Sequence, residues 1–203
     1  MKIVCIGRNY KEHAMEMNAE VPKVPVFFIK PDNCLLRNNQ PFFYPDFTND
    51  LQYEIEVVLR ISRLGRSIKQ NFAHRYYDAI TLGIDLTARD LQRECKAKGL
   101  PWEIAKAFDY SAPIGSFIPK EELSDLNGLN FRLEINGKVV QQGNTANMVF
   151  SYDELISHVS RFITFRTGDL LFTGTPSGVG PVRVGDRLQA YLNDRLMLDF
   201  FIK

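Results

Sequence analysis

Two glutamates, Glu54 and Glu56, alternate within the apolar segment 53–59. Successive side chains of a β-strand point to opposite faces of the sheet, so a strand here places both carboxylates on one face. If that face is buried, the two carboxylates repel each other and lose their hydration, and a bound divalent cation removes both problems. An edge strand that turns both glutamates towards solvent fits the same spacing.

A third carboxylate, Asp85, ends the apolar segment 80–85. Three acidic side chains without cysteine or histidine nearby favour a hard cation such as Mg²⁺ or Mn²⁺ over zinc. Glu54, Glu56 and Asp85 are therefore candidate ligands of one such ion.

His13 and Glu16 lie three positions apart in a short predicted helix, so their side chains share a face. A carboxylate that holds one imidazole nitrogen leaves the other nitrogen free to accept a proton, which is the arrangement of a general base. The alternative is a solvated surface pair on a charged helix, which contributes little to stability or function.

Lys106 stands among apolar neighbours in the segment 102–108. A lysine in this position can be desolvated and attract an anion. It can equally extend its ammonium group to solvent while its stem covers apolar surface.

The segment 173–180 is rich in glycine but lacks the Gly-Lys-Ser/Thr of a phosphate loop, and no G-x-G-x-x-G opens a helix, so a nucleotide site is not predicted. Its backbone N–H groups and the Thr175 hydroxyl suit a small anion such as a carboxylate. A tight turn between strands explains the same residues.

Other nucleophile and metal motifs are missing. The chain contains no G-x-S-x-G and no H-E-x-x-H. His74 and His158 lack metal-ligand spacing and are interpreted as structural or exposed. Cys95 has no partner histidine, so we do not expect it to be catalytic.

The composition predicts one globular domain over residues 1–203 with a substantial core, since 45% of the residues are hydrophobic. The net charge is +1 with both signs scattered, which favours neither nucleic acid nor an anionic membrane as a partner. Three cysteines without CxxC spacing indicate reduced thiols in a cytoplasmic protein. No stretch resembles a signal peptide or a membrane span.

The elements that must position these residues are mostly strands. The strongest local signal is Asn136-Gly137 between two alternating segments, which predicts a hairpin. The predicted strands are 2–6, 26–29, 53–61, 80–85, 131–135, 138–142, 170–173, 187–192 and 195–201. The predicted helices are 11–18, 71–79, 88–98 and 152–162. Strands joined by short turns, with fewer helices, predict an all-β or α+β domain.

Taken in order, these motifs resemble the fumarylacetoacetate hydrolase family, in its acylpyruvase and oxaloacetate decarboxylase branch. The matching segments are 7–10 with His13 and Glu16, 28–31, Glu54-x-Glu56, 85–92, 98–102, 105–106, 136–137, 142–145 and 173–180. They cover nearly the whole chain, which makes a chance match very improbable. Two positions depart from the family pattern: Gln52, where relatives often have Asp or His, and Ser177, where many have Lys.

The resemblance implies a β-rich α+β fold of the mixed β-sheet roll type, usually assembled as a homodimer. It implies Mg²⁺ or Mn²⁺ at Glu54, Glu56 and Asp85, and a His13–Glu16 dyad on a mobile lid of about residues 11–22. Lys106 is then a third catalytic residue. The positions implied to line the substrate pocket are Arg8, Lys30, Arg89, Gln92 and Thr175.

The activity implied is Mg²⁺-dependent cleavage of a C–C bond in acylpyruvates, which are 2,4-dioxo acids, to give pyruvate and a carboxylate. Oxaloacetate decarboxylation at the same site is a second expected reaction. The alternatives are oxaloacetate tautomerisation and a hydroxymuconate-type isomerase or hydratase. A metal-dependent binding protein without activity is disfavoured, because every implied catalytic position holds a competent residue.

Overall fold

Short strands dominate the structure, a computed structural model that describes residues 1–203. The strands are β1 (Lys2–Gly7), β2 (Val26–Pro31), β3 (Leu35–Leu36), β4 (Leu51–Tyr53), β5 (Ile55–Ile61), β6 (Tyr77–Ile84), β7 (Thr87–Ala88), β8 (Ala112–Pro113), β9 (Ile118–Pro119), β10 (Asn130–Ile135), β11 (Lys138–Asn144), β12 (Leu170–Phe172), β13 (Gly180–Pro181), β14 (Arg187–Leu192) and β15 (Arg195–Phe201). The α-helices are α1 (Lys11–Glu16), α2 (Arg89–Lys98), α3 (Glu103–Lys106) and α4 (Tyr152–Ser160). Short 3₁₀ turns occupy Asp32–Cys34, Gln70–Arg75, Lys120–Glu122 and Thr145–Asn147.

The main sheet has six strands in the order β2-β1-β12-β5-β6-β9. It is mixed, because β1 and β12 run parallel while the other neighbours are antiparallel. A second, antiparallel sheet has the order β11-β10-β14-β15, and two small sheets are formed by β13-β4-β7 and β3-β8. The predicted β-rich α+β class is confirmed.

Most of the core lies between the main sheet and the second sheet. One apolar cluster joins Val57 and Leu59 of β5 to Leu133 of β10, Ala190 of β14 and Leu155 of α4. β5 and β6 are buried along nearly their whole length. Both strands are mostly apolar because they are covered on both faces, and close packing holds them in place.

The local signals succeeded where capping and turn chemistry were decisive. Asn136 and Gly137 both have positive φ, at 52° and 78°, as a two-residue hairpin turn requires, and the predicted hairpin is confirmed. Ser151 is the N-cap residue of α4 and forms a capping box with Glu154. α2 ends at Gly99, which takes the left-handed conformation at φ 64°.

The predicted helix 71–79 is wrong. A 3₁₀ turn ends at Arg75, and β6 begins at Tyr77 and pairs with β5 as far as Ile84. Long-range pairing within the main sheet outweighs the local helical preference. The predicted helix 11–18 ends instead at Glu16, because Asn18 has φ 50°. None of the helices is long and apolar enough to cross a membrane.

Candidate active site and metal centre

Three buried carboxylates meet where β5 begins and β6 ends. Glu54 lies in the one-residue break between β4 and β5, Glu56 lies in β5, and Asp85 directly follows β6. The antiparallel register places Ile55 opposite Ile84, and the Asp85 N–H donates to the Glu54 carbonyl at 2.8 Å. Carboxylate oxygens of the three residues all lie within 4.8 Å of one another. Each residue is at most 6% exposed, so the solvent-facing alternative is wrong.

Lys106 and Lys30 neutralise part of this negative charge. The Lys106 ammonium donates to Glu54 Oε2 at 2.9 Å, to Asp85 Oδ2 at 2.7 Å and to the Thr87 hydroxyl at 2.6 Å. Lys30 Nζ lies 2.6 Å from Asp85 Oδ1 and donates to the Ser111 carbonyl at 2.9 Å. Lys106 is therefore buried and paired, and its ammonium does not extend to solvent.

Arg89, the first residue of α2, adds a third cation. Its guanidinium donates to Glu54 Oε1, to Gln52 Oε1 at 2.8 Å and to Gln92 Oε1 at 2.7 Å. Gln52 is one of the two departures from the family pattern. It accepts a hydrogen bond from Arg89, which in turn contacts the candidate metal ligand Glu54. Burial alone would raise the pKa of Glu54, but Lys106 and Arg89 outweigh it and hold that pKa below its ordinary value.

Glu56 is the carboxylate that no cationic side chain pairs with. Its Oε2 accepts a hydrogen bond from the Gly174 N–H at 2.7 Å. Burial, followed by the charges of Asp85 and Glu54, raises the pKa of Glu56 well above its ordinary value. A buried oxygen-only donor set with one unpaired carboxylate fits a hard divalent cation such as Mg²⁺ or Mn²⁺.

The His13–Glu16 pair is formed on α1, and His13 lines a cavity that the three carboxylates also line. His13 Nδ1 lies 3.1 Å from Glu16 Oε2, and the histidine is only 6% exposed. Glu16 Oε1 accepts the Gly178 N–H at 3.0 Å. The surface-pair alternative is therefore wrong for His13. Because Glu16 occupies Nδ1, the other ring nitrogen, Nε2, is left to exchange a proton.

The predicted lid, residues 11–22, begins with α1 and continues without regular structure to β2. Within this segment His13 and Ala14 are buried, while Met15 is 65% exposed. Beyond α1, the Arg8 guanidinium donates a hydrogen bond to the Glu20 carbonyl at 3.4 Å. Few buried contacts hold this segment, which agrees with mobility, and its opening stays a prediction.

The backbone N–H groups of the glycine-rich segment 173–180 hydrogen-bond to carboxylate side chains of the protein itself. Gly174 and Gly178 donate their N–H groups to Glu56 and Glu16 respectively. Gly174 has φ 99°, and a Cβ there would lie 2.7 Å from Asn9 Cβ, so only glycine fits. The Thr175 hydroxyl accepts from Gln141 Nε2 at 2.9 Å and lines the cavity.

A cavity of about 700 Å³ collects most of these residues. It is lined by the three carboxylates and by Arg8, His13, Arg89, Gln92, Lys106 and Thr175. Lys30 is predicted to bind substrate, but it does not line the cavity. Its ammonium instead pairs with Asp85. The sequence reasoning missed Lys96, although it follows Gln92 by one helical turn and therefore shares its face. His74, His158 and Cys95 lie outside the cavity.

The chain is similar to known proteins over nearly its whole length. The family model described as "Fumarylacetoacetate (FAA) hydrolase C-terminal" matches residues 2–198. "Oxaloacetate tautomerase FAHD1, mitochondrial" of Bos taurus is 40% identical over 201 residues, 99% of this chain and 91% of that protein. "Oxaloacetate decarboxylase, mitochondrial" of Dictyostelium discoideum is 43% identical over 185 residues, 91% of this chain and 85% of that protein.

Among solved structures, the fumarylpyruvate hydrolase from Pseudomonas aeruginosa in complex with Mn²⁺ and pyruvate superposes with a TM-score of 0.94 at 35% identity. The superposition covers 100% of this chain and 89% of the hydrolase. The whole chain is therefore similar in fold to a hydrolase that was solved with Mn²⁺ and pyruvate.

Proposed function

The chain belongs to the fumarylacetoacetate hydrolase family, and from that premise we propose that it cleaves acylpyruvates to pyruvate and a carboxylate. Decarboxylation of oxaloacetate is the second reaction proposed for the same site. The enzyme class predicted from the sequence is confirmed by relatives named as a tautomerase, a decarboxylase and a hydrolase of 2-oxo acids. The observation that carries the proposal is that one cavity is lined by three buried carboxylates and by His13, whose ring Glu16 holds through Nδ1.

The proposed cofactor is Mg²⁺ or Mn²⁺, held by Glu54, Glu56 and Asp85. When bound, the ion supplies a Lewis-acid charge beside the oxygens of a 2-oxo acid. The unpaired carboxylate of Glu56 and the Mn²⁺ of the similar hydrolase support this assignment. The choice between the two metals belongs to the proposal.

Hydrolysis requires an activated water, and the proposed base is His13 Nε2. Glu16 fixes the ring through Nδ1, so Nε2 can take a proton as the water oxygen bonds to the distal acyl carbon. The C–C bond then breaks, its electron pair leaves with pyruvate enolate, and the proton held by His13 is available to the enolate carbon. The Lys106 ammonium is placed to stabilise the enolate oxygen. Its three donors are all engaged here, so one contact must be exchanged.

Decarboxylation of oxaloacetate yields the same enolate by loss of CO₂, without a water attack. Tautomerisation of oxaloacetate needs only a base that moves a proton between carbon and oxygen, which the dyad also provides. Relatives are named for tautomerisation and for decarboxylation of oxaloacetate, so both reactions are proposed in addition to hydrolysis. A hydroxymuconate-type isomerase is the remaining alternative, since such an isomerase from Mycobacterium smegmatis is 30% identical with a TM-score of 0.86.

The deciding experiment measures pyruvate release from acetylpyruvate and from oxaloacetate, with Mg²⁺, with Mn²⁺ and with excess chelator. Oxaloacetate tautomerisation is followed in parallel by the loss of enol absorbance. Metal-dependent pyruvate release from acetylpyruvate supports the hydrolase; release from oxaloacetate alone selects the decarboxylase. Pyruvate formation that persists in chelator contradicts the metal assignment.

The assembly and the cellular location also belong to the proposal. We propose a homodimer, which light scattering coupled to gel filtration measures directly. The cytoplasmic location stays a prediction, and the curated relatives named above are mitochondrial.

A further inference from the structure

The Arg89 guanidinium is fixed in the cavity by three acceptors. Its Nε–H donates to Gln52, Nη1 donates to Gln92, and Nη2 donates to Glu54. A guanidinium carries five N–H donors, so two of them have no protein acceptor. Arg89 is only 4% exposed and lines the cavity. The two remaining donors are therefore available to an anion in the cavity as long as the guanidinium keeps this orientation.

Gln52 is the one acceptor of the three that does not line the cavity. It lies in β4, where its backbone pairs with Thr87, two residues before Arg89. Its side-chain amide lies between two opposite charges. Oε1 accepts from Arg89 Nε at 2.8 Å, and Nε2 donates to Asp50 Oδ1 at 2.9 Å. Gln52 therefore acts on a ligand in the cavity through Arg89 and not by contact.

Asp50 is a second anionic partner within reach of Arg89. The Arg89 backbone N–H donates to the Asp50 carbonyl at 2.8 Å, so the two residues adjoin. The Asp50 carboxylate is bound by the Gln52 amide and by Arg93 at 2.9 Å, and it forms no ion pair with Arg89. Without the amide, Asp50 would lose a donor and Arg89 an acceptor, and their opposite charges would draw them together. The guanidinium would then turn away from Glu54.

We propose that Gln52 is a positioning residue, which keeps the Arg89 guanidinium turned towards Glu54 and the cavity by separating it from Asp50. Because the amide is neutral, it holds Arg89 without compensating its charge, and that charge stays available to an anionic ligand. The inference rests on the proposed function, because that function places the carboxylate of a 2-oxo acid in this cavity. It gives a physical role to one of the two positions at which the chain departs from the family pattern.

Calorimetry measures the affinity of the wild type and of Gln52→Met for Mg²⁺ alone, and for pyruvate under saturating Mg²⁺. Gln52→Met keeps the side-chain length and removes both polar atoms, so pyruvate affinity should fall by about tenfold, the scale of one hydrogen bond to a charged group. Mg²⁺ affinity should not fall, because Arg89 would cease to compete for Glu54. The matched control is Gln189→Met, which should bind both as the wild type does, because Gln189 is a partly buried strand residue outside the cavity.

A second measurement reports the orientation of Arg89 without metal or ligand. The Nε–H bonded to Gln52 should give a slowly exchanging NMR signal, assigned by its absence in Arg89→Lys. This signal should shift or disappear in Gln52→Met and persist in Gln189→Met. The double variant Gln52→Met/Asp50→Asn removes the competing carboxylate, so its pyruvate affinity should recover in part. Asp50→Asn alone completes the double-mutant cycle.

If the wild type binds pyruvate, an unchanged pyruvate affinity or an unchanged Arg89 signal in Gln52→Met overturns the inference and leaves the proposed function standing. Pyruvate and Mg²⁺ affinities that fall together would show that Gln52 supports the carboxylate site as a whole, which also overturns it. A double variant without any recovery refutes the separation of Arg89 from Asp50. If the wild type binds no pyruvate, the proposed function is refuted, and the inference falls with it.

Discussion

Removal of the His13 imidazole should separate the two proposed reactions. Hydrolysis needs a base to take a proton from water, while decarboxylation breaks its C–C bond without one. General-base catalysis contributes about 10²–10⁴-fold, so His13→Ala should lower the hydrolysis of acetylpyruvate by at least about 10²-fold. That factor corresponds to about 2.7 kcal/mol of activation free energy. Decarboxylation of oxaloacetate should fall less, because Lys106 and the carboxylates are untouched.

Glu16→Gln tests the same role through the hydrogen-bond geometry. A glutamine oxygen can still accept the Gly178 N–H, while its amide nitrogen would donate to His13 Nδ1. That donation places the imidazole proton on Nε2, the nitrogen proposed as the base. Glu16→Gln should therefore depress hydrolysis strongly although both anchoring contacts can persist.

The assay follows pyruvate release from acetylpyruvate and oxaloacetate on the same enzyme preparations, under saturating Mg²⁺. Met15→Ala is the matched control, because Met15 lies on α1 between the two dyad residues but is 65% exposed. Its rates should stay near those of the wild type. Equal losses of both reactions in His13→Ala would show that the dyad acts by closing the lid or positioning substrate, and the water-activation role would be refuted.

Three further predictions concern the metal site and the lid. Asp85→Ala should abolish Mg²⁺-dependent activity while circular dichroism shows an intact fold; calorimetric Mg²⁺ binding equal to wild type would contradict the ligand assignment. Glu56→Gln should stabilise the metal-free protein, because the raised pKa of Glu56 makes folding progressively less favourable as the pH rises above 4.5. Its gain in thermal midpoint over wild type should therefore be larger at neutral pH than at pH 5, and a gain that shrinks with pH would refute this. Oxalate should slow hydrogen exchange of residues 11–22, whereas unchanged exchange would count against a mobile lid.

Local sequence signals determined those features that depend on a few neighbouring residues. The Asn136-Gly137 turn, the Ser151 cap and the alternation of Glu54 with Glu56 needed no tertiary information, since each follows from backbone preference or side-chain periodicity. The three cysteines were also correctly expected to be free thiols. The family resemblance added the identity of the site residues, which the spacing alone had left open.

Burial was decided by the tertiary structure. The E-x-E pattern fits an edge strand or an interior strand equally well. Both carboxylates are buried because β5, which carries Glu56 and directly follows Glu54, lies between β12 and β6. The fate of Lys106 was open for the same reason. Its partners Glu54 and Asp85 lie 52 and 21 positions away in the chain, so no local pattern shows that they surround its ammonium.

Long-range register decided the remaining features. Glu16 is held by Gly178, a residue 162 positions later, and this contact joins α1 to the glycine-rich segment. The helix expected over 71–79 was wrong because β6 gains a full antiparallel partner in β5. The sequence by itself therefore determined which residues could perform the chemistry. The tertiary structure alone decided that they meet, because the packing of distant strands sets which charges leave water together.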